Sequence, residues 1–195
     1  MTGIILSGGK SRRMGKNKAF VEIDGQRLLD RTVALFRDLF DEVILVTNEP
    51  LLYLDQNVTI VTDIIPGKGA LGGIYTGLFF AQNERAFVAP CDMPYLNRSF
   101  IAWMRDNQEQ YDVLVPAPPD GLQPLHAVYS RRCLPSIKKL IDDDRLKIKI
   151  LYKRSRVVEI PESTLRTFDG SETMFQNINS PEDLAQIQLG SGLEI

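Results

Sequence analysis

The sequence has 195 residues, 44% of them hydrophobic, with 23 Lys and Arg against 25 Asp and Glu and a formal charge of −2. That length and apolar content suit one α/β domain with a sizeable core, and the slight acidity argues against nucleic acid or an anionic membrane as partner. No segment approaches the roughly 18 consecutive apolar residues of a membrane span, the polar glycine-rich stretch after the first apolar run does not read as a signal peptide, and Cys91 and Cys133 make no disulfide framework, so a reducing, cytoplasmic setting is expected.

In chain order, Thr2–Ser7 is an apolar run that reads as a buried strand. Leu28, Thr32, Leu35, Phe36, Leu39 and Phe40 recur at helical spacing and predict an amphipathic helix over Arg27–Phe40. Glu42–Thr47 and Asn57–Thr62 read as strands, Leu71–Gln82 as a helix, and Ala86–Pro90 as a short strand. Asn97-Arg98-Ser99 opens a helix running to about Gln110, with a strand at Asp112–Pro116, another at Pro124–Tyr129, and a helix at Leu134–Asp142. Lys147–Tyr152 and Val157–Ile160 fit either class. Ser180-Pro181-Glu182-Asp183 is a helix start: serine as N-cap, proline in the first turn, acids near the positive end. Strands alternating with helices over short loops imply a mostly parallel sheet covered on both faces, with its ligand at the carboxyl ends of the strands. One domain over residues 1–189 and a frayed tail over 190–195 are expected.

The first strand runs into Gly8-Gly9-Lys10-Ser11-Arg12-Arg13-Met14-Gly15-Lys16-Asn17-Lys18, with three glycines and five cations. Glycine lets backbone N–H groups approach phosphate oxygens, and arginine and lysine add charge to the same cradle. A Walker A loop does not fit, because the first glycine it requires falls on Ile4. Gly67-Lys68-Gly69-Ala70-Leu71-Gly72 satisfies a dinucleotide-binding pattern with Asp92 downstream, but Asp63-Ile64-Ile65-Pro66 separates the glycines from the preceding strand, whereas that pattern needs the immediate strand-to-helix turn.

Asp63 and Pro90-Cys91-Asp92-Met93-Pro94 follow other strand ends, so they should share a rim with the first loop. Backbone donors, cations and two carboxylates there suit Mg²⁺, which takes one or two carboxylates and completes its shell with phosphate and water. A lone Asp63 reads equally well as a turn former. One histidine and two distant cysteines offer no zinc site and, without a Gly-x-Ser-x-Gly elbow, no hydrolase triad. His126, between Leu125 and Ala127, reads by default as packed, and Asn177 and Asn179 share a face if Phe175–Ile178 is a strand.

Leu6-Ser7-Gly8-Gly9-Lys10-Ser11-Arg12-Arg13-Met14-Gly15 with Lys18 resembles the L-x-G-G-x-S-x-R-M-G…K motif of nucleotidyltransferases. Asp63, Gly69–Ile74, Pro90–Pro94, Gln123-Pro124-Leu125-His126-Ala127 and Asn177–Leu184 follow in the order found in the molybdenum cofactor guanylyltransferases, which the chain resembles from residue 2 to residue 189. Ala70 replaces a common proline, and Asn17 stands where many relatives carry Asp. The resemblance implies a three-layer α/β/α fold with a mostly parallel, Rossmann-like nucleotidyltransferase sheet. It implies transfer of GMP from GTP to molybdenum-molybdopterin with Mg²⁺, giving the guanine dinucleotide cofactor and pyrophosphate. By resemblance, Arg13, Lys18 and Asp92 are catalytic, Asp92 holding the metal. Leu6, Ser7, Gly8, Gly9, Lys18, Asp63 and Asp92 bind the nucleotide, and Gln123, His126, Asn177 and Asn179 line the acceptor side. A monomer making transient contact with other cofactor-biosynthesis or acceptor proteins is expected. The rival readings are the same transfer with another base or acceptor, a nucleotide binder without turnover, and the dinucleotide binder already set aside.

Overall fold

A computed structural model describes residues 1–8, 20–107, 109–178 and 182–184. Its centre is a seven-stranded sheet in the order β5-β4-β1-β6-β8-β7-β9. The strands are β1 (Thr2–Ser7), β4 (Glu42–Thr47), β5 (Thr59–Val61), β6 (Arg85–Pro90), β7 (Val113–Ala117), β8 (Ala127–Ser130) and β9 (Val157–Pro161). Only β8 runs against its neighbours, pairing antiparallel with both β6 and β7. β1 is central and buried along its whole length, which is why it is written in Ile, Leu and small residues without polar alternation.

Alternate residues of the strands feed two separate cores. Ile5, Leu45, Phe87, Leu114 and Val128 face α1 (Leu28–Leu39) and α3 (Arg98–Asp106). Ile4, Leu6, Ile44, Val46 and Val88 face α2 (Gly69–Phe80) and α4 (Leu134–Asp142). The result is the expected α/β/α stack. α2 lies close on β1 because Gly73 and Gly77 present bare backbone to the strand: a Cβ at Gly77 would come within 2.6 Å of Ile4 Cγ2, and one at Gly73 within 3.1 Å of Leu6. That approach carries the start of α2 toward the carboxyl end of the sheet.

Several sequence expectations shift. The second expected helix begins at Gly69 and ends at Phe80. α3 starts on Asn97, whose side chain accepts from Phe100 N–H at 2.8 Å, but it ends at Asp106, four residues early. From Arg105 to Gln110 the sequence offers no apolar residue to face the core, and Asn107 leaves the helix in an extended conformation. The strand expected over Pro124–Tyr129 starts only at Ala127, because the preceding residues form a turn with His126 N–H bonded to the Gln123 carbonyl at 3.0 Å. Ile148–Arg154 is a 3₁₀ turn, and Val157–Pro161 is the edge strand β9. Residues 175–178 are not a strand: Ile178 N–H bonds the Asp92 carbonyl at 2.9 Å, so no ladder forms there. A two-stranded hairpin, β2 (Glu22–Ile23) and β3 (Gln26–Arg27), turns at Asp24-Gly25, both with positive φ. A short helix, α5 (Glu162–Leu165), follows β9. Residues 182–184 are helical, as the Ser180–Asp183 start requires, while Ser180, Pro181 and the 190–195 tail lie outside the described residues. No helix among the described residues is long and apolar enough to cross a membrane.

Candidate active site

Sheet register brings the strand ends together. Ser7 pairs with Thr47, Leu6 with Pro90, and Val46 with Val61. The residues just past those pairs therefore line one rim: Gly8 after β1, Asn48 after β4, Asp63 after β5 and Asp92 after β6. β1 and β6 stay joined past the last ladder pair, with Cys91 N–H bonded to the Leu6 carbonyl at 3.1 Å. Leu6 and Ser7 are buried, whereas Gly8 is exposed, with no atom of the described residues within 4 Å of where a Cβ would stand. Among the described residues nothing covers the backbone at Gly8 at the mouth of the rim.

The two carboxylates are held differently. Asp63 accepts from Asn48 Nδ2 at 2.8 Å through Oδ2, while its Oδ1 is shut from solvent and has no hydrogen-bond partner among the described residues. The segment behind it is tied to α2, where the buried Thr76 hydroxyl accepts from Ile64 N–H at 3.1 Å. Asp92 is half-buried in the turn after β6. Its carbonyl takes the Ile178 N–H bond, which sets the exposed Asn177 beside the Asp92 loop. Hard oxygen donors at a strand end fit Mg²⁺. Among the described residues no three His, Cys, Asp or Glu cluster, so phosphate and water would have to supply the rest of the coordination shell.

β7 runs parallel to β1, so its end also reaches this rim, and the connection to β8 crosses it. Gln123 sits there half-buried, its N–H bonded to the Pro116 carbonyl at 3.0 Å. His126 is in a different situation. It is 1% exposed, stacked on Phe100 and edge-on to Phe87 and Phe175, with neither ring nitrogen hydrogen-bonded. Burial pushes its pKa down to about 3. This ring is packed in the core beneath the rim and presents no surface to a ligand.

The structure thus brings Leu6, Ser7, Gly8, Asp63, Asp92, Gln123 and Asn177 to one edge of the sheet. Gly9, Arg13, Lys18 and Asn179 lie outside the described residues. Sequence reasoning missed Asn48, although the rule that gathers residues beyond strand ends finds it once the end of Glu42–Thr47 is treated like the others.

A MobA-like NTP transferase domain matches residues 3–157. The chain is 41% identical over 190 residues to the molybdenum cofactor guanylyltransferase of Desulfosudis oleivorans, covering 96% of this chain and 94% of that protein. The chain belongs to the MobA-like NTP transferase family. Its fold is also that of the molybdopterin-guanine dinucleotide biosynthesis protein A of Archaeoglobus fulgidus, which superimposes with a TM-score of 0.86 over 100% of both chains at 26% identity. Membership in the MobA-like family accounts for Gly67–Gly72: these glycines open α2 beside the rim and make no strand-to-helix dinucleotide turn.

Proposed function

We propose that this protein transfers GMP from GTP to the terminal phosphate of molybdopterin carrying molybdenum, releasing pyrophosphate and the guanine dinucleotide cofactor. The observation that carries this reading is the 41% identity to a molybdenum cofactor guanylyltransferase along nearly the whole of both chains. The geometry supports it. In the reaction an acceptor phosphate oxygen bonds to the α-phosphorus of GTP, and the bond to the bridging oxygen of pyrophosphate breaks. The attacking phosphate is already ionised at neutral pH, so no general base is required, and a rim without a reachable histidine is adequate. Catalysis rests on positioning and charge neutralisation.

Asp92 would hold Mg²⁺, which when bound supplies positive charge against the phosphates. Arg13 and Lys18 would neutralise the departing pyrophosphate. Leu6, Ser7, Gly8 and Gly9 would meet the nucleotide through their main chain, since the Ser7 hydroxyl is already hydrogen-bonded within the fold. Asp63 would supply a carboxylate to the nucleotide from the end of β5. Asn48 fixes that carboxylate from the neighbouring strand. Gln123, Asn177 and Asn179 would face the acceptor, with His126 supporting the Gln123 turn from beneath.

The test is pyrophosphate release with each of the four NTPs and Mg²⁺, with and without molybdenum-molybdopterin. Release with GTP alone among the nucleotides, and only with acceptor present, is expected. Release with CTP in its place would make the protein a cytidylyltransferase, and no release with any nucleotide would defeat the reading.

A further inference from the structure

α2 meets the central strand through Gly73 and Gly77, and Thr76, three residues after Gly73, lies on the same face of the helix. Its side chain is fully buried. The hydroxyl oxygen reaches beyond its own helix and accepts from Ile64 N–H at 3.1 Å, in the connection between β5 and α2. Among the described residues this is the hydrogen bond that ties the main chain of residues 63–67 to another element. That short span contains Pro66 and a Gly67 with positive φ, and no backbone ladder steadies it.

Ile64 is the residue directly after Asp63. The N–H it donates belongs to the Asp63–Ile64 peptide, whose atoms lie in one plane. Holding that N–H fixes the plane to which the Asp63 Cα is bonded. The Asp63 side chain is held separately, by Asn48 Nδ2 at 2.8 Å from just past the end of β4. Asp63 is thus gripped twice, its main chain from α2 and its carboxylate from β4. A group fixed before its ligand arrives loses less freedom on binding, and the difference appears as affinity.

We propose that Thr76 is a positioning residue for nucleotide binding: its hydroxyl fixes the Asp63–Ile64 peptide, and with it the Asp63 carboxylate, without touching the nucleotide. This rests on the reading of Asp63 as a nucleotide ligand on the rim. Asp63 follows β5, whereas Asp92, Gln123 and Asn177 stand on the far side of β1. The effect therefore falls on GTP affinity and not on the acceptor.

The experiment uses Thr76→Val, which keeps the shape of the side chain and removes the hydroxyl, together with Thr76→Ser and Thr76→Ala, a pair that differs only in the hydroxyl. Thr2→Val is the control, since Thr2 is equally buried and hydrogen-bonded to Glu42 at the amino end of β1, away from the rim. Calorimetry with GTP and Mg²⁺ should show affinity weakened about three- to tenfold in Thr76→Val, the range one hydrogen bond is worth, and the same gap between Ala and Ser. KM for GTP should rise by the same factor, with kcat and the acceptor KM within about twofold of the parent and Thr2→Val unchanged. In the ligand-free protein the Ile64 amide should exchange faster in Val and Ala than in the parent and Ser. Parental GTP affinity in Thr76→Val overturns the proposal, as does equal affinity in Ser and Ala or an Ile64 amide whose exchange does not change. A fall in kcat and acceptor affinity equal to that for GTP also overturns it, as the mark of general destabilisation. If Thr76→Val does not fold, the Ser and Ala pair decides alone. A parent that binds no GTP defeats the reading of the rim, whereas a parent that binds GTP and a Thr76→Val that binds it equally well defeat only the role of Thr76.

Discussion

His126 is the only histidine in the chain, which makes its burial measurable. Closed among Phe87, Phe100 and Phe175, its ring stays neutral down to about pH 3, whereas in the unfolded chain it titrates near 6.5. Above 6.5 the ring is neutral in both states and contributes no pH dependence. Between 6.5 and about 3 the unfolded chain takes up a proton that the folded chain refuses, so stability falls as pH falls. At pH 5 the loss reaches about 2 kcal/mol, from RT ln(1 + 10^1.5) with an unfolded pKa of about 6.5. Replacing His126 by Phe removes this proton uptake whatever it does to absolute stability. Urea denaturation of parent and His126→Phe at pH 7.5 and pH 5 should therefore show the parent losing about 2 kcal/mol more than the variant. Carboxylates and the N-terminal amine, common to both proteins, cancel in the difference. Equal losses in the two proteins would refute the reasoning, as would an imidazole proton resonance of the folded protein titrating near 6.5; either would return His126 to the reach of solvent and of an acceptor.

Other perturbations address the rim and its support. Asp92→Asn keeps size but removes the charge a hard cation needs, so GMP transfer should fall by about 10²–10³ with the fold retained and recover in part as Mg²⁺ is raised; full activity at low Mg²⁺ would transfer the metal to Asp63. Lys18→Ala and Arg13→Ala should each weaken GTP binding by roughly 1.5–3 kcal/mol, measured by calorimetry, without shifting the melting temperature. Gly77→Ala gains helix propensity but drives a methyl to 2.6 Å from Ile4 Cγ2 in the central strand, so a net loss of about 1–2 kcal/mol should appear as a melting temperature several degrees lower.

What the sequence could show followed from where interactions are local. Thr2–Ser7, Glu42–Thr47 and Leu134–Asp142 were readable to the residue because apolar runs and helical spacing are properties of one segment. The Asn97 cap was readable for the same reason. Segments whose partners are distant were not. Residues 175–178 look like a strand until Ile178 spends its N–H on Asp92, eighty-six positions earlier in the chain. The Asp24-Gly25 hairpin carried a local turn signal that went unused beside the more conspicuous glycines before it. In the site, Asp63 and Asp92 stood out as acids after strands, and the motif order along the chain gave the family. Asn48 carried no such mark. An asparagine beside a carboxylate becomes meaningful only when strand register sets β4 against β5.

The reversed strand β8 has a consequence for how such a protein can diversify. Because β8 runs against β6 and β7, the connection over residues 118–126 both leaves the rim and returns to it, never visiting the far edge of the sheet. The strands that present Gly8, Asn48, Asp63 and Asp92 are β1, β4, β5 and β6, all on one side of this reversal. On the proposed assignment the sheet would be partitioned into a nucleotide half and a half whose rim loop can lengthen, shorten or change chemistry in isolation. A change of acceptor would be met by rewriting that excursion together with the segment carrying Asn177, while the strands proposed to hold the triphosphate inherit no strain from it.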